Sequence, residues 1–275
     1  MKITKGTLRK SFWKYGCSGA LFFTLDQEYG YPKENEERAT GSLTGGFMQT
    51  GNSCGMIWGA SLGAGAEAYR KIQDPDQAAG IAIDTTQRII QSYIDHHQTP
   101  NCREVTGCNP GSVPGLIKYF LLGKPFACVK MGIKWAPEAL KAANEDPEND
   151  HKRCKSCATE TVRKMGGSEE EAVIVSGFAG GLGLSGNVCG ALAAAIWLKT
   201  LRKVRRGESI SSNPEARSLL SDFKSETKDR LRCDEITGKQ FKTTEEHTEF
   251  VSSGGCQKLM EVLEKSCQTI KEPVQ

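Results

Sequence analysis

Thr44-Gly-Gly-Phe-Met-Gln-Thr-Gly-Asn-Ser-Cys-Gly55 lies over Ala179-Gly-Gly-Leu-Gly-Leu-Ser-Gly-Asn-Val-Cys-Gly190 at an offset of 135, with the glycine pair, Gly-Asn and Cys-Gly retained. Cys102-Arg-Glu-Val-Thr-Gly107 matches Cys233-Asp-Glu-Ile-Thr-Gly238 at 131, and Cys128-Val-Lys-Met131 matches Cys256-Gln-Lys-Leu259 at 128. Offsets that fall in order are those of a slightly shorter second copy, so the chain reads as a tandem repeat. Cys17 could pair with Cys157 or with Cys154; Cys157 is preferred, because both residues open a short helical stretch at a similar distance from the glycine pair. Each unit then holds four cysteines, Cys17, Cys54, Cys102 and Cys128 in the first, Cys157, Cys189, Cys233 and Cys256 in the second. Cys108, Cys154 and Cys267 are left over, and the acidic, turn-forming run from Asn144 to Asp150 is the expected linker.

Outside the glycine segments the periodicity is helical. Apolar residues recur at three- and four-residue steps over Gln77 to Tyr93, Ala136 to Ala143 and Lys258 to Ile270. Ser61 to Tyr69 and Ala191 to Leu198 are rich in helix formers, and alternating Val, Ile and Thr runs are few. The expected fold is all-α, two homologous helical units packed as a pseudo-dimer, the first over residues 1–148 and the second over 149–275. The glycine pair is expected to let helices approach closely. The Gly-Asn turn is expected to set Cys54 and Cys189 at helix N-termini, where unpaired amides and the helix dipole make a thiolate easier to form.

The 275 residues carry 38% hydrophobic and 25% charged side chains, which argues against disorder, the net charge is only +3, and the eleven cysteines are spread along the whole length, unlike a disulfide knot. No clustered Lys and Arg stripe suggests nucleic acid, and Lys199 to Arg206 reads as the polar end of a helix. The basic start from Met1 to Lys14 and the apolar Gly16 to Leu25 only echo a signal peptide, since Lys14 and Asp26 bound a run with no cleavage site. Ala39 to Ala66 and Ala172 to Leu198 lack charge, but glycines and an asparagine break both, so two buried helices joined by a tight turn fit better than a membrane span. A cytoplasmic protein follows as the expectation, with thiols that bind metal or cycle redox state rather than form structural disulfides.

Several motifs weaken on inspection. Gly181-x-Gly183-x-x-Gly186 imitates a dinucleotide fingerprint, but Met48 replaces Gly183 in the first copy and Arg205 and Arg206 stand where an acidic residue is needed. His151, Cys154 and Cys157 could supply three zinc ligands, yet the first copy lacks the Cys-x-x-Cys pair, and Ala158 after it excludes c-type haem attachment. His96, His97 and His247 have no partner spacing and are expected in solvated positions.

Cys157-Ala158, the Gly-Gly ahead of Cys189-Gly-Ala191, Cys233 and Cys256 resemble the C_GCAxxG_C_C family, named for suspected redox activity. The first copy keeps Cys17, Cys54-Gly55, Gly59 at the last motif glycine, Cys102 and Cys128. It has Met56 for the motif alanine, and the second copy has Ala194 for the final glycine. Related domains in split-Soret cytochromes make an iron–sulfur cluster the cofactor that the resemblance implies, and four thiolates suit one. The leading expectation is an intracellular electron-transfer protein with one such centre per repeat, held by Cys17, Cys54, Cys102 and Cys128 and by Cys157, Cys189, Cys233 and Cys256, serving a redox partner protein and no membrane. The competitors are a thiol–disulfide oxidoreductase with one depressed thiol, and a zinc or copper(I) protein without turnover.

Overall fold

The charge-free glycine segments fold alike. A computed structural model describes residues 4–145, 153–210 and 213–268, apart from the side chains of residues 267 and 268. In both copies a short helix passes through one 3-10 turn, Thr40–Leu43 or Ser176–Phe178, into residues of positive φ. These are Gly45 to Gln49 in the first copy and Gly180 to Leu184 in the second, a left-handed turn five residues long. L-residues adopt this conformation singly and at a cost, so glycines open the turn. A Cβ at Gly46 would lie 2.5 Å from the Asn52 carbonyl oxygen, and one at Gly181 would lie 2.4 Å from that of Asn187. The glycine pair therefore folds the turn back onto its own Gly-Asn segment, and does not bring two helices together as its composition suggests.

Fourteen α-helices are found among the described residues. They are α1 (Lys5–Tyr29), α2 (Glu34–Ala39), α3 (Gly55–Lys71), α4 (Pro75–His97), α5 (Cys102–Thr106), α6 (Val113–Leu121) and α7 (Lys124–Asn144). The second copy supplies α8 (Cys157–Lys164), α9 (Glu169–Ile174), α10 (Gly190–Arg205), α11 (Pro214–Thr227), α12 (Cys233–Thr237), α13 (Thr244–Ser252) and α14 (Gln257–Gln268). Local chemistry sets their ends. Asp74 accepts from the amides of Asp76 and Gln77 ahead of α4, which Pro75 opens. Ser168 and Glu171 close a capping box on α9. Gly107 and Gly238 end α5 and α12 in matching left-handed caps. Arg202, Lys203 and Arg205 occupy the last turn of α10, where cations suit the dipole and the basic run needs no nucleic acid to explain it.

The helices after the cysteine turns, α3 and α10, are the most buried. Every residue of α3 from Gly55 to Ala68 is inside, as is α10 from Gly190 to Leu201. Within its own half α3 packs on α1 and α4, and α10 on α8 and α11. Across the halves α3 meets α9 and the 3-10 turn after it, while α10 meets α2 and the 3-10 turn after that. Trp58 stacks edge-on against Phe178 at 4.7 Å between the copies. Lys33 pairs with Glu170, Arg163 with Asp76 and Arg205 with Glu36 across the same boundary. A single apolar core runs through both units.

One expectation changes here. His247 is not solvated but buried, its ring edge-on to Phe241 at 5.0 Å, because α13 turns it inward against the Phe241 and Phe250 rings. His96 is exposed and His97 half-buried. His151 and most of the expected linker, residues 146–152, lie outside the described residues, as does the side chain of Cys267.

Candidate functional site: two sets of four thiols

Backbone pairing explains how cysteines distant in sequence meet. Ser53 bridges Asn101, and Val188 bridges Arg232, as isolated antiparallel pairs. The Cys54 amide donates to the Pro100 carbonyl at 2.7 Å, and the Cys102 amide donates back to Asn52 at 2.7 Å. The second copy repeats this, with Cys189 donating to Leu231 at 2.8 Å and Cys233 to Asn187 at 2.7 Å. Gly-Asn-x-Cys is thus a clasp that holds the second and third cysteines of each set side by side. The first cysteine comes from the other flank. Gly16 breaks α1 with φ of 74°, so that Cys17 starts a new helical run, and a Cβ at Gly55 would lie 2.5 Å from Cys17 Sγ. Cys128 completes the first set from the second turn of α7.

In the first half Cys17, Cys54, Cys102 and Cys128 line one cavity of about 270 Å³, walled by Phe12, Tyr119 and Met131. The repeated cysteines that raise one another belong to the same set. Burial pushes the Cys17 thiol far up, and repulsion from Cys54 and Cys128 adds to it. Burial raises Cys102 as well, with Cys54, Cys17 and Cys128 adding. In the second half burial and then Cys189 raise Cys157 to about 12, and burial with Cys189, Cys157 and Cys256 raises Cys233. Burial with Cys157 and Cys189 raises Cys256. The sulfurs of each half therefore share one neighbourhood.

The helix-terminus expectation holds in geometry and fails in outcome. Cys54 and Cys189 are the N-caps of α3 and α10. Cys102, Cys157 and Cys233 are the first residues of α5, α8 and α12, and Cys256 directly precedes α14. Yet burial raises Cys54 to about 11 and raises Cys189. A helix dipole is worth roughly 0.3–1 kcal/mol, less than one pKa unit, whereas full burial moves a group by up to about 3–5 units. Burial wins, and the depressed thiol that free-thiolate chemistry needs is found at none of the eight positions.

Three residues beyond the repeat pattern belong to the first set. The Tyr119 hydroxyl donates to Cys128 Sγ at 3.4 Å. Tyr93, fully buried, faces Cys54 with its hydroxyl lacking any partner of ordinary hydrogen-bond geometry. Cys108 is buried and adds to the repulsion at Cys102 and Cys128. Comparing the copies hides all three: the six tyrosines all precede residue 120, and Cys108 has no counterpart. Cys154 packs with Cys233 and Phe241, and accepts from Thr248 Oγ1 at 3.1 Å. With no counterpart in the first copy, it reads as a core residue at the edge of the second set.

Four thiols around one cavity are a donor set that a metal centre could use. Among the described residues no group of three or more His, Cys, Asp or Glu is placed closely enough to hold a metal ion. Zinc draws four sulfurs to about 2.3 Å around one point, whereas the first set surrounds an open volume. Backbone N–H groups of Gly45 and Ser18 face Cys17, those of Gly180, Ala191 and Ala158 face Cys157, and Met56 N–H faces Cys54. Amides aimed at sulfur stabilise thiolates and tune cluster potentials. What the sets lack is positive charge. Lys124, felt at Cys128, is the cation that bears on the first set.

No helix among the described residues is long and apolar enough to cross a membrane. No curated protein and no solved structure shows significant similarity to the chain. The family described as "Putative redox-active protein (C_GCAxxG_C_C)" matches residues 15–167 and again residues 155–270. Together these cover nearly the whole sequence with all eight repeated cysteines inside them, and the protein belongs to this family, in tandem.

Proposed function

We propose that this protein transfers electrons through two four-cysteine centres, each holding an iron–sulfur cluster, one on Cys17, Cys54, Cys102 and Cys128 and one on Cys157, Cys189, Cys233 and Cys256. The observation that carries the reading is the cavity of about 270 Å³ lined by four thiols from distant parts of the sequence. When bound, the group supplies a site that accepts and releases one electron at a time. The chain's own residues do the rest. The two clasps fix sulfur positions, Phe12, Met131 and the buried faces of α3 and α10 exclude water, and the amides of the left-handed turns point at Cys17 and Cys157.

Free-thiol oxidoreduction is disfavoured, because burial holds these eight thiols protonated at neutral pH. The reciprocal contacts of α3 with α9 and of α10 with α2 support packing about a pseudo-two-fold axis. Ten free cysteines among the described residues fit a reducing compartment such as the cytoplasm, and a protein redox partner is the expected electron source.

The test is anaerobic purification followed by iron and acid-labile sulfide analysis and visible spectroscopy. Two clusters per chain are expected, and serine at Cys102 or Cys233 should halve the iron. A colourless, iron-free protein from that preparation, with all the repeated thiols freely titratable after unfolding, would overturn the reading.

A further inference from the structure

Charge in this chain is unevenly placed. Residues 1–25 and 105–137 contain nine of the 36 Lys and Arg and none of the 33 Asp and Glu. These 58 residues therefore carry +9, and the other 217 carry −6. The two acid-free stretches meet in space. Trp13 of α1 stacks edge-on against Phe126 of α7 at 5.5 Å, and Gly132 of α7 gives room to the Phe12 ring, which a Cβ there would approach to 2.1 Å.

Apolar exposure gathers at the same place. The eight large hydrophobic side chains exposed among the described residues lie on α6, on Leu122 after it, at Phe126 or at Trp13. Val113 is 74% exposed, Phe120 63% and Leu121 81%. α6 buries only Gly115, so its apolar face is turned away from the protein. Beside it runs an open groove of about 700 Å³ whose floor is Trp13, Phe126 and Val129, and whose rim carries Lys5, Arg9, Lys130 and Lys134. The nearest acid that pairs here is Glu34, which engages Lys14 at 3.1 Å.

We infer that this face is an interfacial docking surface for a lipid bilayer bearing anionic headgroups. Exposed Val, Leu, Ile and Phe on one short helix, with Trp13 of α1 and Phe126 of α7 beside them and lysines long enough to reach outward, match the boundary between acyl chains and phosphate. A mixed acidic and basic partner surface would not complement a groove edged by Lys5, Arg9, Lys10, Lys130 and Lys134 with no acid among its lining residues, whereas a sheet of lipid phosphates does. The helix sits on the surface and spans nothing. Docking brings the first thiol cavity to the membrane, since Trp13 and Leu116 belong both to the exposed collar and to the cavity wall. The inference does not depend on the identity of the redox group.

The experiment is co-sedimentation of the purified full-length chain with vesicles of phosphatidylcholine containing roughly one quarter phosphatidylglycerol, and with phosphatidylcholine alone. Binding is expected to the first and to be at least ~10-fold weaker to the second, and salt near ~0.5 M should reduce it. Ile117→Glu with Leu121→Glu, both at exposed positions and hence expected to fold, should abolish it. Lys10→Glu with Lys134→Glu should weaken it by ~10-fold or more. Circular dichroism and the thiol titre show that each variant is folded. Absence of binding to the anionic vesicles, or binding that ignores both charge and salt, overturns the inference. So does a chain that dimerises through this face, becomes monomeric as the double glutamate variant and leaves the vesicles alone.

Discussion

Tyr93 and His247 are each buried with a polar atom that has no partner, and the two should behave in opposite ways when replaced. The Tyr93 hydroxyl costs stability where it stands, because a buried unmade hydrogen bond is worth roughly 1–3 kcal/mol. Tyr93→Phe is therefore expected to be neutral or stabilising by up to ~1 kcal/mol in urea unfolding of the metal-free chain, and, with the proposed clusters bound, to shift the potential of the first alone. A loss of 2 kcal/mol or more, on the order of a buried charged bond, would show that the phenol is bonded after all. His247 carries a pH signature. Burial lowers it to about 4 from its usual 6.5, so the unfolded chain binds the extra proton between those values. Its contribution is present above pH ~6.5 and lost as pH falls towards 4, amounting to at most ~3 kcal/mol. His247→Leu should flatten the stability profile over that window, which urea titrations at pH 4.5 and 7 would read. Asp26 and Glu37 act at the other end. Burial raises both, Glu37 to about 7, so their contribution is present in acid and fades as pH rises through neutrality.

At the scale of the element, the left-handed turn with its Gly-Asn-x-Cys clasp is the unit that was duplicated. Its existence was legible as a repeated string, and so were the N-cap positions of Cys54 and Cys189 and the helices that follow them, because capping and apolar periodicity are local properties. The conformation of Gly45 to Gln49 was not. Phe47, Met48 and Gln49 take positive φ, which no propensity favours, and only packing against Asn52 makes the turn intelligible. Thiolate stabilisation was misjudged for the same reason, since a helix start can be read from sequence but the depth of its burial cannot. Tyr93, Tyr119 and Cys108 stayed hidden because they occur in one copy. The clasp also explains which glycines matter. Gly181→Ala must place a methyl 2.4 Å from the Asn187 oxygen at φ of 82°, whereas Gly238→Ala at φ of 69° meets nothing within 4 Å. The second should cost only the left-handed penalty of ~1–2 kcal/mol. The first adds overpacking of ~1–3 kcal/mol and, with the proposed clusters bound, should also release iron from the second set before the first. Equal losses in chemical denaturation would mean that the turn repacks freely.

For the whole molecule the deciding feature is that the duplicated units do not own separate cores. Apolar residues of α1, α3 and α4 are continuous with those of α8, α9 and α10, and Trp58 of the first unit lies fully buried on Phe178 of the second, its Nε1 donating to Ser53 at 3.1 Å. Neither half can open without exposing the apolar faces of the other, so urea should unfold the chain in one transition, with coincident midpoints from tryptophan fluorescence and from alkylation of Cys102 and of Cys233. Trp58→Ala removes the central ring of the shared face and should cost ~3–5 kcal/mol. The location of that loss is the discriminating result. If the halves are one cooperative unit, both alkylation midpoints move down together although only the first unit is altered. If Cys233 keeps its original midpoint while that of Cys102 falls, the units fold independently and the duplication joined two finished domains. Coincidence would instead mean that each unit serves as the other's missing layer, as in a dimer whose partners have been joined in one chain.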